Sequence, residues 1–244
     1  MIDIHAHILP GLDDGARDIR ETIEMLSMAA KSGITDIIAT PHCNLQGVYD
    51  NYYNHRYKEI FREVEEAIAE HEIPIRIYTG GEIFATVDLP YLMKSINMLT
   101  LNGSRYMLVE FDFDDDEDFA NDILEQISEM GVCPVIAHPE RYFFIQQKRS
   151  IAVEWTEKGY VLQCNKGSFS GRFGNRCAVT AYELLERGLV SVIASDAHGS
   201  KQRTPVMMDT YEDLLGGFDA DYLDVLFEEN PRRILNDEPV LRNF

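Results

Sequence analysis

The sequence predicts an α/β fold built as a parallel barrel, and three observations carry that prediction. Seven short apolar, strand-like runs alternate with amphipathic helical stretches along the whole chain, the pattern of parallel βα units. Gly33, Gly131, Gly159 and Gly188 mark the returns from helix to strand. Six of the seven runs finish on His, Asp or Glu, and in a parallel barrel the C-terminal strand ends share one rim. A doubly wound open sheet would gather only some of these ends at one crevice. Their spread over nearly every strand favours closure. No internal boundary or repeat stands out, so residues 1–244 read as one domain.

The first strand alternates Ile2 and Ile4 with Asp3 and His5. His5 and His7, two apart, project to the same side of an extended chain. Pro10 and Gly11 then open a loop that delivers Asp13 and Asp14. Asp18-Ile-Arg-Glu21 has capping-box spacing, and Ile19, Ile23, Leu26 and Ala30 continue it as a helix. The run 35–40 is a strand ending in Pro41-His42. A helix with Tyr57, Ile60, Phe61, Val64, Ala67 and Ile68 on one stripe follows and stops before Pro74. Strand 75–79 runs into Gly80-Gly-Glu82, and strand 106–110 finishes on Glu110 after a turn at Asn102-Gly103. Helix 117–130 precedes strand 133–137, which leads into His138-Pro-Glu-Arg141. Helix 150–158 precedes strand 160–164, and residues 165–174 read as a basic, glycine-rich loop. Helix 176–187 leads to the last strand, 189–195, completed by Asp196-Ala-His198. The remainder is acidic and helical.

With 22 Lys and Arg against 42 Asp and Glu, the net charge is −20. This argues against nucleic acid as a partner, because its binders neutralise phosphates with cationic side chains. No apolar run reaches the roughly 20 residues of a membrane helix, so membrane insertion is not expected. Cys43, Cys133, Cys164 and Cys177 show no CxxC spacing and read as reduced thiols of a cytoplasmic protein. The run 112–118 reads as a solvated loop and helix N-terminus. Homo-oligomerisation is left open.

The polar strand ends nominate nine metal ligands: His5, His7, Asp14, His42, Glu82, Glu110, His138, Asp196 and His198. His55 and His71 lie in helical, polar surroundings and are set aside. Nine donors exceed the four to six or so that one divalent cation takes. With a bridging carboxylate they could hold two or three. Nitrogen and oxygen donors without thiolate suit Mn, Fe or Zn. Three divalent cations against four carboxylates would leave the site positive, which suits a phosphate dianion. Metal would also acidify water to near neutrality and supply a nucleophile without a protein base. Charge building on phosphoryl oxygens needs cations, and Arg141 and Arg203 are the candidates. No Cys-x5-Arg loop, Gly-x-Ser-x-Gly elbow or Walker loop offers another route.

The ordered set Asp3-Ile-His-Ala-His7, Leu12-Asp-Asp-Gly15, Ala39-Thr-Pro-His42, Gly81-Glu82, Val109-Glu110-Phe111, Ile136-Ala-His-Pro-Glu-Arg141 and Ala194-Ser-Asp-Ala-His198 resembles the PHP (polymerase and histidinol phosphatase) superfamily. Within it, the chain is most similar to the manganese-dependent tyrosine phosphatases of bacterial capsule and exopolysaccharide loci, the CpsB/YwqE type. The likeness runs over the whole chain and includes Gly167-Ser-Phe-Ser-Gly-Arg-Phe-Gly174. It implies a single-domain, distorted (β/α)7 TIM-like barrel with three divalent ions, manganese first and iron or zinc as alternatives. By motif, one ion takes His5, His7, Glu82 and Asp196, and a second shares Glu82 and adds Glu110 and His138. The third takes Asp14, His42 and His198. Arg141 and Arg203 match phosphate-holding positions, and His42 is expected to be required for turnover. The implied substrate is phosphotyrosine in the tail of a bacterial tyrosine kinase that controls polysaccharide synthesis. Two rival readings are a phosphoesterase acting on a small metabolite such as histidinol phosphate, and a metal-stabilised module that binds the kinase without turnover.

Overall fold

A computed structural model describes residues 1–96 and 98–242. It shows a mixed α/β single-domain fold in which all strand pairing between named strands is parallel. The strands are β1 (Ile2–Ala6), β2 (Asp36–Ala39), β3 (His42–Cys43), β4 (Arg76–Thr79), β5 (Glu82–Phe84), β6 (Tyr106–Glu110), β7 (Cys133–Ala137), β8 (Val161–Asn165) and β9 (Val192–Ala194). The first helices are α1 (Ile19–Lys31), α2 (His55–Glu70), α3 (Leu89–Leu92), α4 (Glu117–Glu129) and α5 (Phe143–Gln147). They are followed by α6 (Ser150–Glu157), α7 (Lys166–Phe169), α8 (Asn175–Glu186), α9 (Met208–Leu214), α10 (Ala220–Asp224) and α11 (Asn230–Leu235).

Seven strands were expected, and nine segments are found in two sheets, ordered β1-β2-β4 and β3-β5-β6-β7-β8-β9. The extra segments arise because the chain resumes strand pairing beyond the ends of two expected strands. Pro41 has no N–H to give to a ladder, and it separates β2 from β3. Gly80-Gly81 separates β4 from β5. A Cβ on Gly80 would lie 2.6 Å from Ile38 Cγ2, so only glycine allows the chains to approach this closely. The Tyr57 hydroxyl fills the break, donating to Gly80 O at 2.9 Å and accepting from Gly80 N at 3.1 Å. Register survives the interruption: Ala39 pairs with Thr79 and His42 with Glu82, the same offset of 40 residues. The sheets also meet at the other side. Asp196 N donates to His5 O, and His7 N donates to Ala197 O, both at 2.8 Å.

The strands are apolar on both faces, as parallel strands covered by helices must be. Leu108, Val135, Val161 and Val192 pack with Ile2, Ile4 and Ile38 in one buried cluster. Met107, Val109, Ile136, Leu162 and Ile193 face the helices in another. Two local readings need correction. Asp18 caps α1 by accepting from Glu21 N at 2.9 Å, but Glu21 does not return the bond. Its carboxylate takes Arg17 instead, at 2.6 Å to Nε, so the capping box is half formed. The stretch 165–174 is not all loop, because residues 166–169 form α7. The acidic run is as expected: Asp116 caps α4 through Phe119 N at 2.8 Å.

Candidate metal centre

The strand ends bring all nine nominated ligands together. Glu82, at the start of β5 and buried, lies in the middle. Its Oε1 is 3.2 Å from His5 Nε2 and 3.0 Å from His138 Nε2. Its Oε2 is 3.2 Å from His7 Nε2 and 3.0 Å from His42 Nδ1. Glu110 joins from the end of β6, 3.4 Å from His42 Nδ1 and 3.5 Å from His138 Nε2. Asp196, just past β9, places Oδ1 3.5 Å from His5 Nε2, 3.6 Å from His7 Nε2 and 3.4 Å from His198 Nδ1. Asp14 bridges the open side, 3.5 Å from both His42 Nε2 and His198 Nε2. His55 and His71 lie elsewhere, as expected: His55 is exposed and pairs with Glu59, and His71 bonds to Ala67 O.

Three groups have donor atoms close enough to share a cation: His7, Asp14, His42 and His198; His5, His7 and Asp196; and His42, Glu82 and Glu110. They overlap the expected sets without matching them residue for residue, because His7 and His42 each face two clusters. The donor set fits metal on a direct observation. Glu82 Oε2, Asp196 Oδ1 and His198 Nε2 are buried and lack a hydrogen-bond partner among the described residues. Such atoms cost about 1–3 kcal/mol each when left so, and here each lies within 3.6 Å of a donor atom of another nominated ligand.

Electrostatics makes the same demand. Burial disfavours charge on His5 and His42, yet the carboxylates outweigh it. Glu82 and Asp196 raise His5 to about 9, and Glu82 with Glu110 raises His42 to about 12. Burial also opposes charge on Glu82, which the surrounding imidazoles nevertheless hold well below its usual range. Asp196 is likewise held low against burial, by His5 and Arg203. Without cations, protons on imidazole supply the counter-charge around Glu82, and Arg203 adds to them at Asp196. His198 differs: burial and the neighbouring His7 push it down to about 2, leaving a neutral ring suited to ligation.

Both nominated arginines converge on Asp196. Arg203 Nη2 is 2.5 Å and Arg141 Nη1 3.7 Å from its Oδ2. The Arg141 guanidinium lies 4.2 Å from the centre of the Phe113 ring and 4.5 Å from that of Phe173, so the two rings fix its plane. Backbone strain collects here as well. His138, Asp196 and Arg203 all have positive φ, at 34°, 49° and 49°. Non-glycine residues persist in that region only where the surroundings hold them.

The family model described as capsular polysaccharide synthesis, CpsB/CapC, matches residues 1–236. The chain belongs to the CpsB/CapC family. It is 35% identical to the tyrosine-protein phosphatase YwqE of Bacillus subtilis, over 99% of this chain and 94% of that one. It is 32% identical to the tyrosine-protein phosphatase CpsB of Streptococcus pneumoniae, over 98% and 99%. A solved chain from crystal structures of YwqE and CpsB, described as unique metal-dependent tyrosine phosphatases, superposes with a TM-score of 0.91 at 34% identity. That match covers 100% of this chain and 97% of the other.

This CpsB/CapC chain also uses residues that sequence reasoning missed. Asp13, not only Asp14, is part of the site: its Oδ2 is 2.6 Å from His7 Nδ1 and accepts His42 N at 2.8 Å. His7 and His42 hold it at about 2 against the opposing effect of burial. The turn is tight enough that a Cβ on Gly15 would sit 2.3 Å from His7 O. On β8, the strand without an ionisable end, Gln163 Oε1 meets His5 Nδ1 at 2.9 Å. Gln163 in turn donates to Asn165, which donates to Asp196. The cue was available, since Gln163 and Asn165 stand two apart at the end of an otherwise apolar strand. Tyr49 stacks on His42 with centroids 5.6 Å apart, and no periodicity signalled it.

Proposed function

We propose that this protein is a metal-dependent protein-tyrosine phosphatase acting on a bacterial tyrosine kinase that regulates capsular or exopolysaccharide synthesis. The observation that carries the reading is the convergence of nine donor side chains, Glu82 among them, with two arginines beside them, in a CpsB/CapC chain. The strands are read as one distorted (β/α)7 barrel and one domain. The common register across the Pro41 and Gly80 breaks and the β1–β9 hydrogen bonds support that closure. Three divalent ions, manganese first, are assigned to His5, His7, Glu82 and Asp196, to Glu82, Glu110 and His138, and to Asp14, His42 and His198. When bound, such cations supply Lewis acidity toward water and phosphoryl oxygen.

The chain's own groups do the rest. Asp13 and Gln163 each take one ring nitrogen of a ligating histidine, fixing tautomer and orientation so that the other nitrogen faces the centre. Arg141, held between Phe113 and Phe173, and Arg203, anchored on Asp196, present guanidinium N–H groups to equatorial phosphoryl oxygens as charge builds there. Tyr49, stacked on His42, and Phe113, against the Arg141 guanidinium, are the aromatic surfaces assigned to a substrate phenyl ring. No described helix is long and apolar enough to cross a membrane. The test is release of phosphate from a phosphotyrosine peptide in Mn²⁺. Turnover abolished by chelator and by His42→Ala is the expected result. Faster turnover of histidinol phosphate than of the peptide would overturn the substrate assignment. Binding without phosphate release from fully loaded protein would overturn the enzyme.

A further inference from the structure

Beside the centre lies a groove of about 460 Å³ that the proposed chemistry does not use. It is lined by residues of α5, the segment after it and α8, among them Phe143, Gln147, Asn175, Arg176 and Val179. Both of its walls begin next to the Arg141 clamp. Phe143 follows Arg141 by two residues, at most about 7 Å of chain. Asn175 follows Phe173, the ring stacked on Arg141, by two. Gln146, on the floor, donates to Glu140 O at 2.9 Å and to the sulfur of Cys177 at 3.3 Å, tying the walls together. The groove is thus built into the same loops that place the phosphate-facing arginine.

Its lining carries positive charge on a strongly acidic chain. The chain carries −20, yet Arg176 stands exposed in the lining and Arg172 stands exposed on the loop leading into α8, and among the described residues neither side chain makes an ion pair. Arg149, also in the lining, is by contrast tied to Glu183 at 2.7 Å. Phe143 and Val179 are 50% and 44% exposed, an apolar edge on a groove that is otherwise polar. The side-chain amides of Gln147 and Asn175 make no hydrogen bond among the described residues, leaving donors and acceptors for a main chain.

We propose that this groove binds the polypeptide flanking the phosphotyrosine. Arg172 and Arg176 would read acidic side chains two to four residues away, and Phe143 with Val179 would take an apolar one. An extended segment advances about 3.3 Å per residue, so two to four residues carry it from the Arg141 clamp along the groove. Charge complementarity and continuity with the clamp both favour an acidic segment. The inference rests on the phosphotyrosine reading.

The experiment compares kcat/KM for two phosphotyrosine peptides, one with Glu and one with Lys at those flanking positions, with p-nitrophenyl phosphate as a small control substrate. Wild type should prefer the acidic peptide by about threefold to fivefold for each charge contacted. In Arg176→Glu and in the double variant with Arg172→Glu, the preference should reverse while p-nitrophenyl phosphate turnover is unchanged. An unaltered preference in both variants would overturn the proposal. So would a groove that serves self-association, seen as a dimer in sedimentation that Arg176→Glu dissociates. Wild type inactive on both peptides and on p-nitrophenyl phosphate would instead remove the phosphatase reading itself, and the groove assignment with it.

Discussion

Asp36 and Glu82 are both buried carboxylates that open parallel strands, one in each sheet, yet they are kept in opposite ways. Asp36 opens β2. Its two oxygens receive Arg76 at 2.8 and 2.9 Å, the Tyr78 hydroxyl at 2.8 Å and the Thr35 hydroxyl at 2.6 Å. Those bonds outweigh its burial and lower its pKa. Glu82 opens β5 beside the rim. It is surrounded by four imidazoles, and one of its oxygens has no hydrogen-bond donor among the described residues. Burial of an acid therefore does not mark a site by itself. An acid with its full set of donors is structural, whereas one held by groups that are themselves ligands, with an oxygen left over, awaits a cation.

Substitutions at the two acids separate these cases most sharply. Glu82→Ala should abolish metal retention and turnover together, read by elemental analysis and phosphate release, because two of the three proposed ion sets share that side chain. Arg141→Ala should keep the metals but lower kcat by about 100-fold, as loss of one charge-stabilising donor does. Asp13→Asn should weaken metal affinity by about 10–100-fold, the usual cost of losing a group that orients a ligating histidine. Full affinity in that variant would show that His7 is oriented by something else. At the other end of the sheet, Asp36→Ala should cost about 1–3 kcal/mol of stability and leave kcat unchanged, measured by denaturant unfolding and by turnover.

The pH dependence of the two ends differs in sign between metal-free and metal-loaded protein. In the metal-free chain His5 titrates near 9 and His42 near 12, above their ordinary 6.5. Their stabilisation is therefore complete below about pH 6.5 and is lost as pH rises through the raised values. The metal-free Tm should fall between about pH 7 and about pH 10. Metal competes with those same protons, so the loaded protein should lose its cations as pH falls instead. A metal-free Tm that rises over the alkaline range would contradict the assigned proton counter-charge.

Much of the site was legible because metal ligands are polar side chains at the ends of apolar strands, and His5, His7, His42, Glu82, Glu110, His138 and Asp196 all follow that rule. Asp14 and His198 were reached by their spacing from the others. What escaped has physical reasons. Gln163 and Asn165 are neutral amides, and only their partners distinguish them from ordinary polar residues. Tyr49, Phe113 and Phe173 come from separate loops, and loop contacts leave no period in the sequence. The splitting of two strands escaped because Pro41 and Gly80 look like strand ends, whereas in three dimensions the register runs past them.

The most direct test is the number of cations the folded chain keeps. Protein purified without chelator, supplied with Mn²⁺, desalted and analysed for metal should retain three per chain. Retention of one or none by folded wild-type protein would contradict the shared centre on which the phosphatase reading depends.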